Sequence, residues 1–306
     1  MNHATETGQN VLARLSADLE SAVERAGAWT VTVYARRRLP GTGVIWSTDG
    51  SIVTANHIVE RDEDIEVGMP DGRRVAAALR GRDPASDLAL LRVEGDAGTA
   101  VSRANREART GQLVLAIGRP GDAGTMASFG IVNGVGGRRA PSPSLGDAIV
   151  RSDVAMLPGF SGGPLVDAEG AMVGLNTSML ERSGSVTIGH AWIEQVVGTL
   201  GEHGKIRQGY LGIGAQSVAI PAAMRNDDAS DASRGLLVVG IEADGPAERS
   251  GVMLGDLLLA ISDTTLHDVE DLQRSLHGFT VGETVLLAMV RAGARRTVEV
   301  TVGERP

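Results

Sequence analysis

Pro158-Gly159-Phe160-Ser161-Gly162-Gly163-Pro164-Leu165-Val166 sets one hydroxyl among three glycines and then runs into an apolar strand. Glycine accepts positive φ and close backbone approach, so this loop can turn tightly enough for the Gly159 and Ser161 N–H groups to converge on one point. The same residues also fit the Gly-x-Ser-x-Gly pattern of a nucleophile elbow, which would make the chain an α/β-hydrolase. An elbow needs a helix directly behind the serine. Gly162-Gly163-Pro164 ahead of Leu165–Val166 predicts a strand there, and the alternating helix–strand periodicity of an α/β chain is missing throughout.

Outward from this stretch the chain reads as short β-type runs between Gly, Pro and Asp turns. They are Thr30–Tyr34, Gly43–Trp46, Ile52–Ala55, Asp64–Val67, Leu88–Val93, Leu113–Ile117, Gly130–Val135, Leu165–Val166 and Ala171–Leu175. Such spacing predicts a β-barrel or sandwich. Two of the runs carry polar residues at their ends. Ile52–Ala55 delivers Asn56-His57, and Asp87 immediately precedes Leu88. Acyl transfer to a serine needs an imidazole base and a carboxylate that fixes the tautomer of that base. The order His57, Asp87, Ser161 is that of the chymotrypsin class and the reverse of the hydrolase order. Asp153 is a rival acid; Asp87 is preferred because it leads into a buried strand, and Asp153 is expected to brace the serine loop. In the chymotrypsin class a carboxylate six positions before the serine would select Lys or Arg side chains; Ala155 stands there instead, so aliphatic P1 residues are expected. His3, His203, His267 and His277 read as structural, and His190 as a pocket-wall or surface residue.

Composition narrows the function classes. The chain has 306 residues, enough for about two domains. Its 41 glycines suit a turn-rich β chain. A net charge of −9 leaves no broad basic surface for nucleic acid or anionic lipid, and Arg36–Arg38 and Arg138–Arg139 read as solvated loops. With no cysteine there is neither a disulfide nor a thiolate site, and no nucleotide or metal motif is present, so no cofactor is expected. No apolar run approaches the ~18 residues of a membrane span. Glu6, Arg14, Asp18, Glu20, Glu24 and Arg25 interrupt the first thirty residues, so no signal peptide is read. The expected location is the cytoplasm or, if an export segment has been removed, the cell envelope or periplasm.

Residues 10–26 carry Val11, Leu12, Leu15, Leu19 and Val23 at helical spacing, which predicts an amphipathic helix ended by Gly27. Ile193–Leu200 reads as a closing helix and Gly201–Gln208 as a linker. The expected division is 1–28 for the helix, 29–203 for the β domain and 204–306 for a second domain. In that domain Tyr210–Ile213, Gly235–Ile241, Leu257–Ile261, Thr284–Arg291 and Thr297–Val302 read as strands. Val269–Leu276 reads as a helix capped by Asp268, and Ala222–Arg234 as a mobile insertion.

Taken in order, Gly41-Thr42-Gly43-Val44-Ile45, Asp83–Leu91, Ala116-Ile117-Gly118-Arg119-Pro120, Gly130-Ile131-Val132 and Gly159–Val166 resemble the HtrA (Deg) family of trypsin-like proteases with PDZ domains. Gly245–Val252 and Gly255-Asp256-Leu257-Leu258 resemble the PDZ core. The resemblance implies a mainly β chain, a chymotrypsin-like double β-barrel followed by a small α/β PDZ domain. It implies His57 as base, Asp87 as orienting acid, Ser161 as nucleophile, and the N–H groups of Gly159 and Ser161 as oxyanion hole. It implies a substrate pocket at Ala155, Thr187, Ile188, Gly189, His190 and Ala191, with substrate as an added strand along Thr187–Ala191. The loop Tyr210, Leu211, Gly212 and Ile213 would hold a C-terminal carboxylate. Partners implied are unfolded or misfolded polypeptides, C-terminal peptides and copies of the chain in a homotrimer. Phe160 stands where the family has Asn, Arg151-Ser152 where it has Gln-Thr, and His190 where it has Phe. The bulky Phe160 is expected to bear on the leaving-group side or the oxyanion loop. A catalytically silent peptide-binding chaperone or sensor with the same fold is the alternative.

Overall fold

The computed structural model of the chain describes residues 3–37, 39–121, 124–136, 143–180, 186–204, 209–220, 233–279 and 281–304. The chain folds as two units, Met1–Ile206 and Arg207–Pro306.

The described residues of the first unit form twelve strands. β1 (Thr30–Tyr34), β2 (Gly41–Ile45), β3 (Ser51–Ala55), β4 (Ile65–Gly68), β5 (Arg74–Asp83) and β6 (Leu88–Val93) close in the order β1-β2-β3-β6-β5-β4. β7 (Leu113–Gly118), β8 (Met126–Val135), β9 (Ile149–Ser152), β10 (Pro164–Asp167), β11 (Met172–Thr177) and β12 (Val186–Gly189) close a second barrel in the order β10-β11-β12-β9-β8-β7. β-Branched and aliphatic residues fill both, among them Val31, Val33, Val44, Ile52 and Leu91 in one and Val114, Ala116, Val132 and Leu165 in the other.

Helix α1 (His3–Gly27) begins ahead of the expected span and lays Leu19, Ala22, Val23 and Ala26 on the barrels. Thr30 Oγ1 donates to Ala26 O at 2.7 Å and so satisfies a carbonyl of its last turn. α2 (Pro143–Asp147) is one short turn. α3 (His190–His203) is longer than expected, running through His203 to a left-handed Gly204, so the first three residues of the expected linker are helical. Residues 205–208 of that linker lie outside the described residues, as do the Arg138–Arg139 pair and residues 222–232 of the expected insertion.

Three strands of the first unit are not legible in the sequence. β5 reads Arg-Val-Ala-Ala-Ala-Leu-Arg-Gly-Arg-Asp, poor in β-formers, and is a strand because β4 and β6 pair with both its edges. β9 and β12, only four residues each, owe their conformation to paired neighbours in the same way.

In the second unit β13 (Gly209–Tyr210) pairs with the terminal β20 (Gly303–Glu304). The main sheet runs β14 (Ile213–Ala219), β15 (Arg234–Ile241), β16 (Leu257–Ile261), β18 (Thr284–Arg291), β19 (Ala294–Thr301), with β17 (Thr264–Thr265) beside β16. α4 (Pro246–Arg249) is short. In α5 (Val269–Gly278) Asp268 accepts the Asp271 N–H at 2.8 Å, the N-cap that its sequence predicts. Leu211, Leu236, Val238, Leu258, Ile261, Leu287 and Val300 form the core. The buried Asp256 takes the Arg291 guanidinium through both oxygens at 2.7 Å. No helix among the described residues is long and apolar enough to cross a membrane.

Candidate active site

Strand register brings the first two polar groups together. In the β3–β6 ladder Ala55 lies opposite Leu88, so the residue before β6 and the 3-10 turn Asn56–Ile58 after β3 meet at one end of the first barrel. There Asp87 Oδ1 accepts the His57 backbone N–H at 2.9 Å, and Oδ2 lies 2.7 Å from His57 Nδ1. Thr177, the last residue of β11, donates its hydroxyl to the same Oδ2. Asp87 is buried, has a φ of 54°, and gives its carbonyl to the Asn56 N–H at 2.8 Å. A non-glycine residue in the left-handed region is uncommon and needs surrounding bonds to hold it.

The serine loop arrives from the second barrel, between β9 and β10. Gly159 and Gly162 have φ of 86° and 83°, where a side chain would be strained. Crowding adds to this at Gly162, since a Cβ there would stand 2.1 Å from Thr42 O and 2.9 Å from Ala55 N. The loop thus sits directly against the strand that delivers His57. Asn176, next to Thr177, exchanges backbone bonds with Gly162 and Gly163 at 2.8 Å. Ser161 Oγ has Ser178 Oγ as its partner at 3.3 Å, rather than the His57 ring. Such bonds are commonly unmade without substrate. Among the described residues neither the Gly159 nor the Ser161 N–H donates to a protein acceptor, while the Phe160, Gly162 and Gly163 N–H groups all do.

The rival acid is elsewhere. Asp153 Oδ1 accepts the Ile131 N–H at 2.6 Å, tying the start of the serine loop to β8. Phe160, expected to bear on the leaving-group side or the oxyanion loop, turns its ring inward. It is fully buried in the second barrel among Val114, Ala116, Leu165 and Val173, and Gly118 makes room for its ring.

The pocket residues are only partly assembled. Thr177 stands opposite Val186, so the β11–β12 register puts Gly189 three residues further off, opposite Gly174. At ~3.3 Å per residue that is about 10 Å from the end where Asp87 is held. His190 and Ala191 already belong to α3. An added substrate strand along Thr187–Ala191 is ruled out, because β12 is paired with β11 on one edge and β9 on the other. Thr187 and Ile188 are buried, and Thr187 Oγ1 donates to Asn176 Oδ1 at 2.7 Å. Ala155 is exposed and its carbonyl accepts the Ser128 hydroxyl at 2.7 Å. Met179 and Leu157, 63% and 37% exposed, flank Ser178 and the serine loop and supply an apolar rim.

Residues 41–175 match the family model of the trypsin-like peptidase domain, and residues 209–302 match that of the PDZ domain. A solved structure described as the serine endoprotease from Yersinia pestis is 28% identical, covers 94% of this chain and 98% of its own, and superposes with a TM-score of 0.80. An HtrA-type protease AlgW solved with a decapeptide is 26% identical, with 94% and 99% coverage and a TM-score of 0.79. The chain joins a trypsin-like peptidase domain to one PDZ domain and is similar along nearly its whole length to HtrA-type proteases.

A curated relative, the probable periplasmic serine endoprotease DegP-like of Ectopseudomonas mendocina, is 36% identical over 273 residues. Those residues are 87% of this chain but 56% of the relative, so the chain spans a little over half the length of the curated relatives it matches. Two hydroxyls in this site escape a reading of the sequence, Thr177 on Asp87 and Thr42 on the serine loop. Their signal is a threonine at a fully buried position in an otherwise apolar strand, since a buried hydroxyl has to find a partner.

Proposed function

We propose that the chain is a serine endopeptidase acting on unfolded or misfolded polypeptides without ATP. Ser161 is the nucleophile, His57 the base and Asp87 the group that orients it. The observation that carries this reading is the double hold of Asp87 on His57, with the glycine-flanked Ser161 loop packed against the strand that delivers the histidine. A carboxylate at Nδ1 keeps the proton there and leaves Nε2 free to take the serine proton. The unfilled N–H groups of Gly159 and Ser161 are available to the oxyanion. Ala155 and the apolar rim at Leu157 and Met179 favour aliphatic P1 side chains.

In the second unit the N–H groups of Leu211 and Gly212 donate to no protein acceptor among the described residues, and Gly212 has a φ of 75°. This supports carboxylate capture by the Tyr210–Ile213 segment. The free edge of β14 beside α5 would pair with the peptide. Self-association into a homotrimer follows from the family resemblance, and Val11, Leu12, Phe129 and Ile131 supply exposed apolar surface for it. A cell-envelope location is supported by the word periplasmic in the names of the curated relatives.

One observation favours the silent-chaperone reading: Ser161 Oγ is bonded to Ser178 and not to His57. Labelling with a fluorophosphonate probe decides between the two. The protease reading expects one labelled serine and loss of both labelling and casein cleavage in Ser161→Ala. A chain that binds casein but takes no label is the chaperone.

A further inference from the structure

Thr42 lies in β2 of the first barrel and is fully buried. Three of its bonds reach the serine loop or the turn beneath it. The Thr42 N–H donates to Ser161 O at 3.1 Å, and its hydroxyl donates to Gly159 O at 2.6 Å. Thr42 Oγ1 in turn accepts the Arg119 N–H at 2.9 Å. The two residues whose N–H groups stand unfilled are therefore the two whose carbonyls Thr42 holds, and it holds them from the other barrel.

We propose that Thr42 is a positioning residue for the oxyanion loop. The argument concerns peptide planes. Gly159 has a positive φ and no side chain, so its ψ is the least restrained torsion of the loop. The plane joining Gly159 to Phe160 is pinned at one corner by the Thr42 hydroxyl and at the other by the Phe160 N–H bond to Leu157 O at 3.0 Å. The next plane is pinned by the Gly163 N–H bond to Phe160 O at 2.9 Å, and ψ of Ser161 by the Thr42 N–H. Without the hydroxyl, Gly159 O loses its partner, the plane keeps only the Phe160 N–H bond to hold it, and rotation about ψ of Gly159 can turn it against the plane that carries the Gly159 N–H. Arg119 joins the same clamp, because its guanidinium also donates to Gly27 O at the end of α1 and to Thr125 Oγ1. Preorganised donors act only while they stay aimed at the developing charge, so a loop that turns loses rate rather than substrate affinity.

The inference rests on the reading of Ser161 as nucleophile, and the test separates the two. Thr42→Val keeps the side-chain shape and removes the hydroxyl. The rate of fluorophosphonate labelling and kcat on an apolar peptide substrate are expected to fall roughly 30- to 100-fold, since about 1 Å of misplacement at a reacting centre costs on the order of 10²-fold. KM is expected to change less than about threefold. Thr42→Ser, which keeps the donor, is expected to recover most of the rate. Wild-type labelling by a folded Thr42→Val, or a Thr42→Ser no faster than Thr42→Val, overturns the proposal. If Thr42→Val no longer melts cooperatively, the hydroxyl acts in folding and the proposal fails. Absence of label on the unaltered chain would remove the Ser161 reading itself, and this proposal with it.

Discussion

Asp87 grips His57 at two points, accepting its backbone N–H at 2.9 Å with one oxygen and lying 2.7 Å from Nδ1 with the other. The backbone bond fixes where the histidine sits, and the ring contact fixes which nitrogen carries the proton. Asp87→Asn should separate these effects. An amide can still accept the backbone N–H, but its NH2 group turned to Nδ1 would force the proton onto Nε2. We expect kcat to fall about 10⁴-fold with an unchanged fold, as removing the orienting charge of such a triad does. Cleavage of a fluorogenic peptide, with circular dichroism as control, measures it; a loss under about tenfold would dismiss Asp87 as the orienting acid.

The legibility of this site follows where each residue stands on its strand. His57 and Asp87 can be found because each adjoins an unbroken apolar run, and runs of that kind pair. Thr177 and Thr42 cannot, because threonine is also an ordinary strand former, and only the register shows which hydroxyl meets a carboxylate or a loop carbonyl. The pocket residues Gly189–Ala191 are misplaced by sequence for a related reason. Position along β12 depends on its pairing with β11, and a four-residue strand has too little periodicity to announce that pairing. For Phe160 the sequence offers size alone, while its direction is decided by the vacancy at Gly118, more than forty positions earlier.

That vacancy gives a second prediction. A Cβ on Gly118 would stand 2.2 Å from Phe160 Cδ1, so Gly118→Ala must displace the ring. Overpacking of this kind costs about 1–3 kcal/mol. Because Phe160 is bonded directly to Ser161, the shift should also slow probe labelling. Adding Phe160→Leu to Gly118→Ala should cost less than the sum of the two single changes, since contacting residues couple. Urea denaturation of the three variants tests this, and strict additivity would mean that the ring is not what limits the space.

His190 yields a pH prediction. Burial lowers its pKa, the Arg103 guanidinium lowers it further, and Glu194 and Glu107 act the other way. Among the described residues neither ring nitrogen has a hydrogen-bond partner. A folded-state pKa below the unfolded value of about 6.5 means that the unfolded chain binds the proton more tightly. Stability is therefore complete above about pH 6.5 and declines as pH falls from there towards the folded-state value. His190→Phe removes the proton site and both unpaired nitrogens. Its melting temperature should exceed that of the unaltered chain at pH 8 and exceed it by more at pH 5. An equal gain at the two pH values would exclude protonation from the effect.

The final prediction concerns the Leu211 and Gly212 N–H groups. Among the described residues they have no protein acceptor and β14 pairs with β15 alone, leaving its other edge beside α5; Gly212 has a positive φ, and Ile213, Ala215, Val269 and Leu276 are partly buried. A peptide ending in an apolar residue and a free carboxylate should bind this edge with micromolar affinity, because the contacts are few. Amidating the same peptide removes the charge and leaves every side chain in place. Charge-assisted hydrogen bonds are worth about 1.5–3 kcal/mol, so the amide should bind roughly 10- to 100-fold more weakly. Calorimetry on the Ser161→Ala chain avoids cleavage during the titration. Equal binding of acid and amide would remove the carboxylate role from this loop and leave strand pairing alone to explain any affinity. If the peptide also biases the active site, adding it to the unaltered chain should change the rate of fluorophosphonate labelling, and the amide should do so only at correspondingly higher concentration. An effect on labelling that ignores amidation would show that the peptide acts at the protease unit itself, as a competing substrate, and not through the second domain.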